Sequence, residues 1–240
     1  MRGISWFISI CTGNGLTLTE KQAEKFEQYR QLLLFRNQQL NLISRKDEEN
    51  FYSNHALNSI SFLFKKRLKA DAEIIDLGTG GGLPGIPIKI LYPNLKLVML
   101  DSIAKKTGAL SEIVNEMALE NARVVTGRAE ELAKTREFEA RFDYVISRAA
   151  GKLDDMVKWS RRFLREFDSY GSGTVPAGTL IVLKGGKFED ELKHTKSSKF
   201  VDAVEVDEIT FNGMDEIDNK EKKLVLVKYK DATQPIRRKN

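Results

Sequence analysis

The segment from Ile74 to Gly85 reads IIDLGTGGGLPG and combines a single carboxylate with a run of glycines. Five of the eight residues from Gly78 to Gly85 are glycine, and Asp76 closes the apolar run before them. Glycine permits close approach of a backbone to a ligand, but it loses more conformational freedom on folding than any other residue. A turn alone would not need five glycines, so the segment predicts a ligand-binding loop.

The loop formally fits a dinucleotide fingerprint, because Gly80, Gly82 and Gly85 match G-x-G-x-x-G and Asp101 follows about 20 residues later. A nicotinamide-dependent oxidoreductase is therefore one alternative. Asp76 argues against it, since a carboxylate there would repel a pyrophosphate by a few kcal/mol at an effective dielectric of about 20. The same carboxylate would attract the sulfonium and ammonium groups of S-adenosylmethionine. Asp101 is placed to accept hydrogen bonds from ribose hydroxyls of either cofactor.

The elements that must position these residues follow from the alternation of apolar runs and helical stretches after Glu73. The strand-like runs are EIIDL, KLVMLD, ARVVT, FDYVIS and TLIVLK, with crossover helices expected over 102–120 and 153–167. Two further strands, over 201–211 and 223–229, are expected to form a closing hairpin. This order predicts a parallel sheet covered on both faces.

Ligands of such sheets bind beyond the carboxyl ends of the strands. We therefore expect the chemistry in the segments that follow the strands, namely 76–85, 101–106, 126–130, 147–148 and 184–186.

The chain divides into four segments by pattern. Residues 1–16 are expected to be a poorly ordered extension, and 17–70 a helical N-terminal subdomain that opens with Thr19 and Gln22 at capping-box spacing. Residues 71–232 form the α/β domain, and 233–240 a basic tail. Asn37, Asn41 and His55 in the helical part are candidates for the substrate side.

Composition narrows the class of protein. The 240 residues carry a net charge of +5, and their basic clusters suit a polyanionic partner without requiring one. A single cysteine, Cys11, indicates a reducing, cytoplasmic location, and two distant histidines offer no metal-ligand spacing. No apolar stretch approaches the roughly 20 residues that span a bilayer. We expect no metal and no membrane partner.

Six further strings accompany DLGTGGGLPGIP in order along the chain: NLIS at 41–44, NHALNSI at 54–60, LDSIAKK at 100–106, GRAEE at 127–131, FDYVISRA at 142–149 and VLKGG at 182–186. With these motifs the chain, from about Leu18 to the last strand, resembles the bacterial 16S ribosomal RNA guanine-N7 methyltransferase family. That family is also known as glucose-inhibited division protein B or RNA small subunit methyltransferase G.

The resemblance implies an α/β class I S-adenosylmethionine-dependent methyltransferase. Its fold would be Rossmann-like, with a seven-stranded, mostly parallel sheet whose seventh strand is antiparallel, preceded by a helical N-terminal extension. The substrate would be 16S ribosomal RNA within a small-subunit particle. The expected cofactor-binding residues are Asp76, Gly78, Gly80, Leu83, Asp101, Ala129, Glu130 and Arg148. The chain departs from the family at Arg36, Ile43, Asn54 and Asn58, where tryptophan, threonine, arginine and aspartate are usual, and these departures all lie in the helical N-terminal subdomain.

The inventory of reactive groups fits the acceptor that the resemblance implies. Guanine N7 has a free lone pair and no proton to lose, so no general base is required, and no catalytic residue is identified. Arg148 could serve the cofactor carboxylate, guanine O6 or a phosphate. The alternatives are another RNA, a protein or a small molecule as acceptor, and an RNA-binding module that keeps the pocket without turnover.

Overall fold

The architecture is known from a computed structural model that describes residues 2–148, 151–169, 171–216 and 222–230. The described residues contain seven strands, and these form one sheet in the order β3-β2-β1-β4-β5-β7-β6. The strands are β1 (Glu73–Leu77), β2 (Lys96–Asp101), β3 (Ala122–Thr126), β4 (Tyr144–Arg148), β5 (Thr179–Gly185), β6 (Val201–Glu208) and β7 (Lys222–Tyr229).

The pairing is parallel from β3 through β5 and antiparallel where β7 lies between β5 and β6. The seven-stranded, mostly parallel sheet is therefore confirmed, and so is the hairpin of the last two strands. The apolar runs predicted β1, β2 and β3 with their observed bounds. Strand β6 ends at Glu208 rather than at residue 211. Beyond it, Asn212 exchanges hydrogen bonds with Asn14 instead of extending the ladder.

Helices cover both faces of the sheet. They are α1 (Ile4–Gly13), α2 (Glu20–Asn37), α3 (Asn58–Ile60), α4 (Gly85–Leu91), α5 (Ala104–Glu116), α6 (Ala129–Leu132), α7 (Leu153–Phe163) and α8 (Glu189–Ser197). The side chains of β1 alternate between two apolar clusters: Ile74 joins the cluster beneath α1 to α5, and Ile75 the cluster beneath α7. The capping box predicted at Thr19 and Gln22 begins α2.

The first residues differ from the sequence expectation. Residues 1–16 were expected to be poorly ordered, but Ile4–Gly13 form helix α1. Phe7, Ile10 and Cys11 are buried, and the ring of Phe7 lies 4.9 Å from that of Phe26 between centroids. These three positions have the i, i+3, i+4 spacing of a helix face, the signal that the sequence reasoning passed over.

Helix α2 packs directly on the glycine loop after β1. The buried hydroxyl of Tyr29 donates a hydrogen bond to the carbonyl of Gly81 at 2.8 Å. A Cβ at Gly81 would lie 2.8 Å from Cδ1 of Leu33, so a side chain at this position would displace the end of Leu33. The N-terminal helices and one face of the sheet thus share one apolar cluster that supports the loop.

Replacement of Tyr29 by phenylalanine tests this support. Tyr29→Phe removes the hydroxyl donor from a buried carbonyl, and such a loss costs about 1–3 kcal/mol. We expect urea unfolding followed by circular dichroism to show that decrease in the free energy of unfolding. Tyr92→Phe is the matched control, because the Tyr92 hydroxyl is 3.5 Å from the Leu68 amide and partly exposed. Equal losses in the two variants would show that Tyr29 does not hold the loop.

Candidate functional site

The glycine loop adopts a conformation that depends on glycine at several points. Gly78, Gly80 and Gly82 have φ values of 68°, 54° and 96°, in the left-handed region that other residues rarely adopt. The amides of Gly78 and Thr79 both donate to the carbonyl of Leu100, at 2.8 and 3.1 Å. The loop is therefore fastened to the end of β2 at its first turn.

Asp76 lies completely buried beneath the loop. Its Oδ2 accepts hydrogen bonds from the Thr79 hydroxyl at 2.7 Å and the Gly85 amide at 2.9 Å. A Cβ at Gly85 would approach that oxygen to 2.8 Å, which explains the last glycine of the loop. Oδ1 of Asp76 is buried and has no partner in the described part of the chain. The first role of the acid is thus to hold both ends of the loop together.

Burial dominates the electrostatics of Asp76. Desolvation raises the pKa of Asp76 to about 7, although the hydrogen bonds from Thr79 and Gly85 and the charge of Arg148 act in the opposite direction. The protonation of Asp76 therefore changes close to neutral pH, and a bound cation would favour the ionised form.

Asp101 connects the loops after β1 and β2. Its Oδ2 accepts from the Gly80 amide and its Oδ1 from the Ile103 amide, both at 3.0 Å. An ionised carboxylate offers about four acceptor positions, so two remain for the hydroxyls of a ligand. Ile103 is 48% exposed beside this acid. The sequence reasoning missed Ile103, although an apolar residue two positions after a strand-end acid was a visible signal.

The other expected cofactor residues lie along the same edge of the sheet. Leu83 is buried in the loop, and its amide donates to the Thr79 carbonyl at 3.0 Å. Ala129 and Glu130 begin α6 just after β3 and are partly exposed. Register pairing of Thr126 with Asp101 brings the start of this segment next to the end of β2.

Arg148, at the end of β4, is held by the N-terminal helices. Its Nη1 donates to the carbonyls of Asn54 and His55 at 3.2 and 3.4 Å, and its Nη2 lies 3.0 Å from Nδ1 of His55. Both carbonyls belong to a π-helix over Phe51–Leu57, a widened turn that often marks functional sites. No carboxylate among the described residues forms an ion pair with Arg148, and desolvation lowers the pKa of its guanidinium.

His55 is neutral in this arrangement. Burial and then the charge of Arg148 lower the pKa of His55 to about 4. Since Nδ1 accepts from the guanidinium, the proton resides on Nε2, which is buried with no partner in the described structure. His55 therefore orients Arg148 and carries no charge at neutral pH.

Asn37 does not line the substrate side. It is buried, its Oδ1 accepts from the amides of Leu42 and Ile43 at 2.7 and 2.9 Å, and its amide group donates to Glu48. Asn37 thus shapes the chain after α2.

The departures from the family have partners within the chain. Arg36 forms ion pairs with Glu112 at 3.1 Å and Glu116 at 2.6 Å on α5. The Asn58 side chain donates to the Asn54 carbonyl at 2.9 Å, and the Asn54 side chain to Asp47 at 2.8 Å. Ile43, the fourth departure, is buried in the apolar cluster beneath α2. Arg36 therefore connects α2 to α5, and Asn54 and Asn58 bond within and beside the π-helix that holds Arg148.

Charge is divided along this edge of the sheet. Asp76 lies near the end of β1, Asp101 ends β2 and Glu130 follows β3, where Glu130 forms an ion pair with Arg128 at 3.5 Å. On the other side of the edge, Arg148 ends β4, Lys184 lies near the end of β5, Lys187 follows β5, and Lys222 and Lys223 begin β7. Lys184 alone of these forms an ion pair in the described structure, with Glu191 at 2.6 Å. A cationic ligand suits the first half of the edge and an anionic ligand the second.

The described residues offer neither a thiolate nucleophile nor a metal site. Cys11 is buried and desolvation raises the pKa of its thiol to about 12, so a thiolate nucleophile is not formed at neutral pH. Among the residues that the structure describes, no cluster of histidine, cysteine or acidic side chains could hold a metal ion. Nor does that part of the chain contain a helix with the length and hydropathy needed to cross a membrane.

Comparison with known proteins identifies relatives in sequence and a similar fold. The chain is 38% identical over 175 residues to ribosomal RNA small subunit methyltransferase G of Porphyromonas gingivalis, covering 73% of this chain and 75% of the relative. The protein of that name from Bacteroides fragilis is 40% identical over 183 residues, covering 75% and 84%. In three dimensions the chain is similar to Atu636, a predicted O-methyltransferase of Agrobacterium tumefaciens, with a TM-score of 0.51 and 13% identity over 73% and 80% of the two chains.

The match extends to a whole family. Residues 22–220 match the family described as rRNA small subunit methyltransferase G, and this range contains the glycine loop, Asp101, Arg148 and the π-helix that holds Arg148. The chain therefore belongs to the GidB family, rRNA small subunit methyltransferase G.

Proposed function

We propose that this chain transfers a methyl group from S-adenosylmethionine to N7 of a guanine in 16S ribosomal RNA. The observation that carries the proposal is the division of the carboxyl edge into an acidic half and a basic half in a member of this family. A cationic methyl donor fits over β1 to β3, and a polyanionic acceptor fits over β4, β5 and β7. A cytoplasmic location follows from this substrate.

The residues of the acidic half fit S-adenosylmethionine. Asp76 Oδ1 is a buried oxygen without a partner, and Asp101 keeps acceptor positions for the two hydroxyls of a ribose. Ile103 offers an exposed apolar surface beside Asp101, suited to a purine ring. A pyrophosphate in this half would meet two acids, which disfavours the nicotinamide alternative.

When bound, S-adenosylmethionine supplies an electrophilic methyl group on a sulfonium. The protein must hold the acceptor nitrogen about 3–3.5 Å from that carbon and in line with the bond that breaks. Guanine N7 needs no proton removed, in agreement with a site whose histidine has a pKa lowered to about 4 and is already bonded to Arg148. The residues of this site position the methyl donor and the acceptor and balance their charges. They do not transfer protons.

Arg148 is a desolvated cation with no carboxylate partner in the described chain. Such a group is costly unless a ligand supplies negative charge or acceptor oxygens. Guanine O6 and the cofactor carboxylate both meet that need, whereas a donor on N7 itself would block attack. His55 and the Asn54 carbonyl hold the guanidinium ready for this contact.

The substrate is proposed to be RNA within a small-subunit particle, because the described residues form no compact module for reading bases. Small subunits that lack the modification, incubated with enzyme and S-adenosylmethionine, should acquire 7-methylguanine, detected by chemical cleavage at the modified base. Free guanosine should be a poor acceptor in parallel reactions. Equal turnover on guanosine would favour a small-molecule acceptor, and cofactor binding without methyl transfer to any RNA would favour a binding module.

The proton on Asp76 links loop stability to pH. Because the pKa of Asp76 is raised to about 7, the native state keeps a proton that the unfolded state, with its ordinary carboxyl pKa, releases from about pH 4 upward. The native state therefore binds more protons between these two values. The contribution of Asp76 to the free energy of unfolding falls as pH rises from about 4 to about 7, then levels off.

Asp76→Asn tests this linkage. Asparagine keeps one oxygen to accept from Thr79 and Gly85, whereas Asp76→Ala would leave both buried donors without an acceptor. We expect Asp76→Asn to gain stability relative to the natural protein as pH rises from 5 to 7, at most about 1.4 kcal/mol per pH unit. Urea unfolding at several pH values measures the difference, and parallel curves would contradict the raised pKa.

The same variant tests the electrostatic role of Asp76 toward the cofactor. Asp76→Asn should bind S-adenosylmethionine at least about tenfold more weakly by calorimetry at pH 8, because it lacks the charge that attracts the sulfonium. Unchanged affinity in a folded Asp76→Asn protein would reduce Asp76 to a purely structural role.

Ile103→Ala tests the apolar contact without disturbing the core. Ile103 is exposed, so stability should change by no more than about 0.5 kcal/mol. Loss of its contact with a purine should weaken binding of S-adenosylmethionine by about tenfold, measured by calorimetry. Phe35→Ala is the matched control. Phe35 is also an exposed apolar residue but lies on α2, so its replacement should leave the affinity for S-adenosylmethionine unchanged. Identical affinities in the two variants would place the purine elsewhere.

A further inference from the structure

A pocket of about 300 Å³ lies at the basic end of the carboxyl edge, beyond Arg148. Its walls are the segment after β5, the end of β6 and the start of β7. Lys222 pairs in register with Gly185, and Lys223 with Glu208, so all three segments meet at this edge. Two strand spacings separate β7 from β4, which places the pocket about 10 Å along the edge from the strand that carries Arg148.

Three lysines line this pocket: Lys187, Lys222 and Lys223. Two glutamates, Glu189 and Glu208, also line it, so the wall keeps an excess of positive charge. Within the described ranges of the chain, none of the three ammonium groups forms an ion pair with a carboxylate. Their charge is therefore available to a ligand.

Lys222 begins β7 in the wall of the pocket. It is partly buried, and desolvation followed by the like charge of Arg148 lowers the pKa of its ammonium group. The Thr210 hydroxyl, which also lines the pocket, accepts a hydrogen bond from Nζ of Lys65 at 2.7 Å. An anion entering this pocket would meet the ammonium groups of the three lysines.

The size of the pocket selects among anions. Its volume is at the lower end of the range for small-ligand pockets, which suits one phosphate with part of its sugar. Lysine binds phosphate as a point charge and does not demand a fixed orientation. This property suits a contact to the RNA backbone, which carries no sequence information. A strand of RNA that presents a guanine beside Arg148 would pass over this pocket.

We infer that the pocket lined by Lys187, Lys222 and Lys223 binds a backbone phosphate of the RNA substrate close to the target guanine. The inference rests on the proposed function and adds a defined contact to it. The pocket acts on RNA affinity and placement, while the acidic half of the edge binds the methyl donor.

The experiment compares two variants with equal loss of charge. Lys187→Gln/Lys222→Gln removes two pocket cations, and Lys193→Gln/Lys196→Gln removes two exposed cations of the nearby helix α8. Binding to small subunits that lack the modification is measured across salt concentrations. Methylation kinetics on the same particles and calorimetry with S-adenosylmethionine are measured for each variant. Thermal melting checks that both proteins fold. If the pocket variant does not fold, the single substitution Lys187→Gln, at an exposed residue, replaces it.

The pocket variant should show a KM for RNA about tenfold higher, with kcat within about twofold and cofactor affinity unchanged. Its logarithmic salt slope should become less steep by about 0.7, the change expected for the loss of one single-strand phosphate contact. The helix variant should stay within about twofold of the natural protein. If the two variants behave alike while the natural protein methylates RNA, the pocket inference falls and the proposed function stands. If the natural protein binds cofactor but neither binds nor methylates RNA, the proposed function itself falls.

Discussion

The site depends on one buried carboxylate that holds a flexible loop in a single shape. Asp76 accepts hydrogen bonds from Thr79 and from the amide of Gly85, so it joins the two ends of the glycine loop from below. Without that anchor the loop would keep the conformational freedom that its glycines confer. The loop in turn fixes Gly80, whose amide binds Asp101, and so sets the distance between the first two acids of the edge.

The N-terminal helices complete the site as well as covering the sheet. Tyr29 bonds the glycine loop from one side, and the π-helix around His55 holds Arg148 from the other. Both contacts join elements far apart in sequence, and each satisfies a polar group whose burial would otherwise be costly. The helical part and the α/β part share an apolar cluster, and the helical part holds both the glycine loop and Arg148.

Electrostatics separates the two substrates. In the proposed function, the acids at the ends of β1 to β3 would face a cationic methyl donor, and the cations at β4, β5 and β7 would face a polyanion. Opposite preferences within one edge disfavour the wrong ligand in each half, since like charges in a partly desolvated cleft repel strongly. Antiparallel insertion of β7 matters here, because it brings Lys222 and Lys223 from the start of a strand to an edge otherwise formed by strand ends.

The sequence by itself determined the strands, their order along the chain, the glycine loop and the two acids, because period-two apolar runs and glycine requirements are local properties. It also determined the family through motifs in fixed order. Only the tertiary structure decided that residues 4–13 pack as a helix, that Asn37 shapes a loop, that His55 holds Arg148, and that Ile103 is exposed beside Asp101. Those facts depend on which distant side chains meet. The shift of the pKa of Asp76 depends on burial in the folded protein, and neither can be predicted from the local spacing of residues.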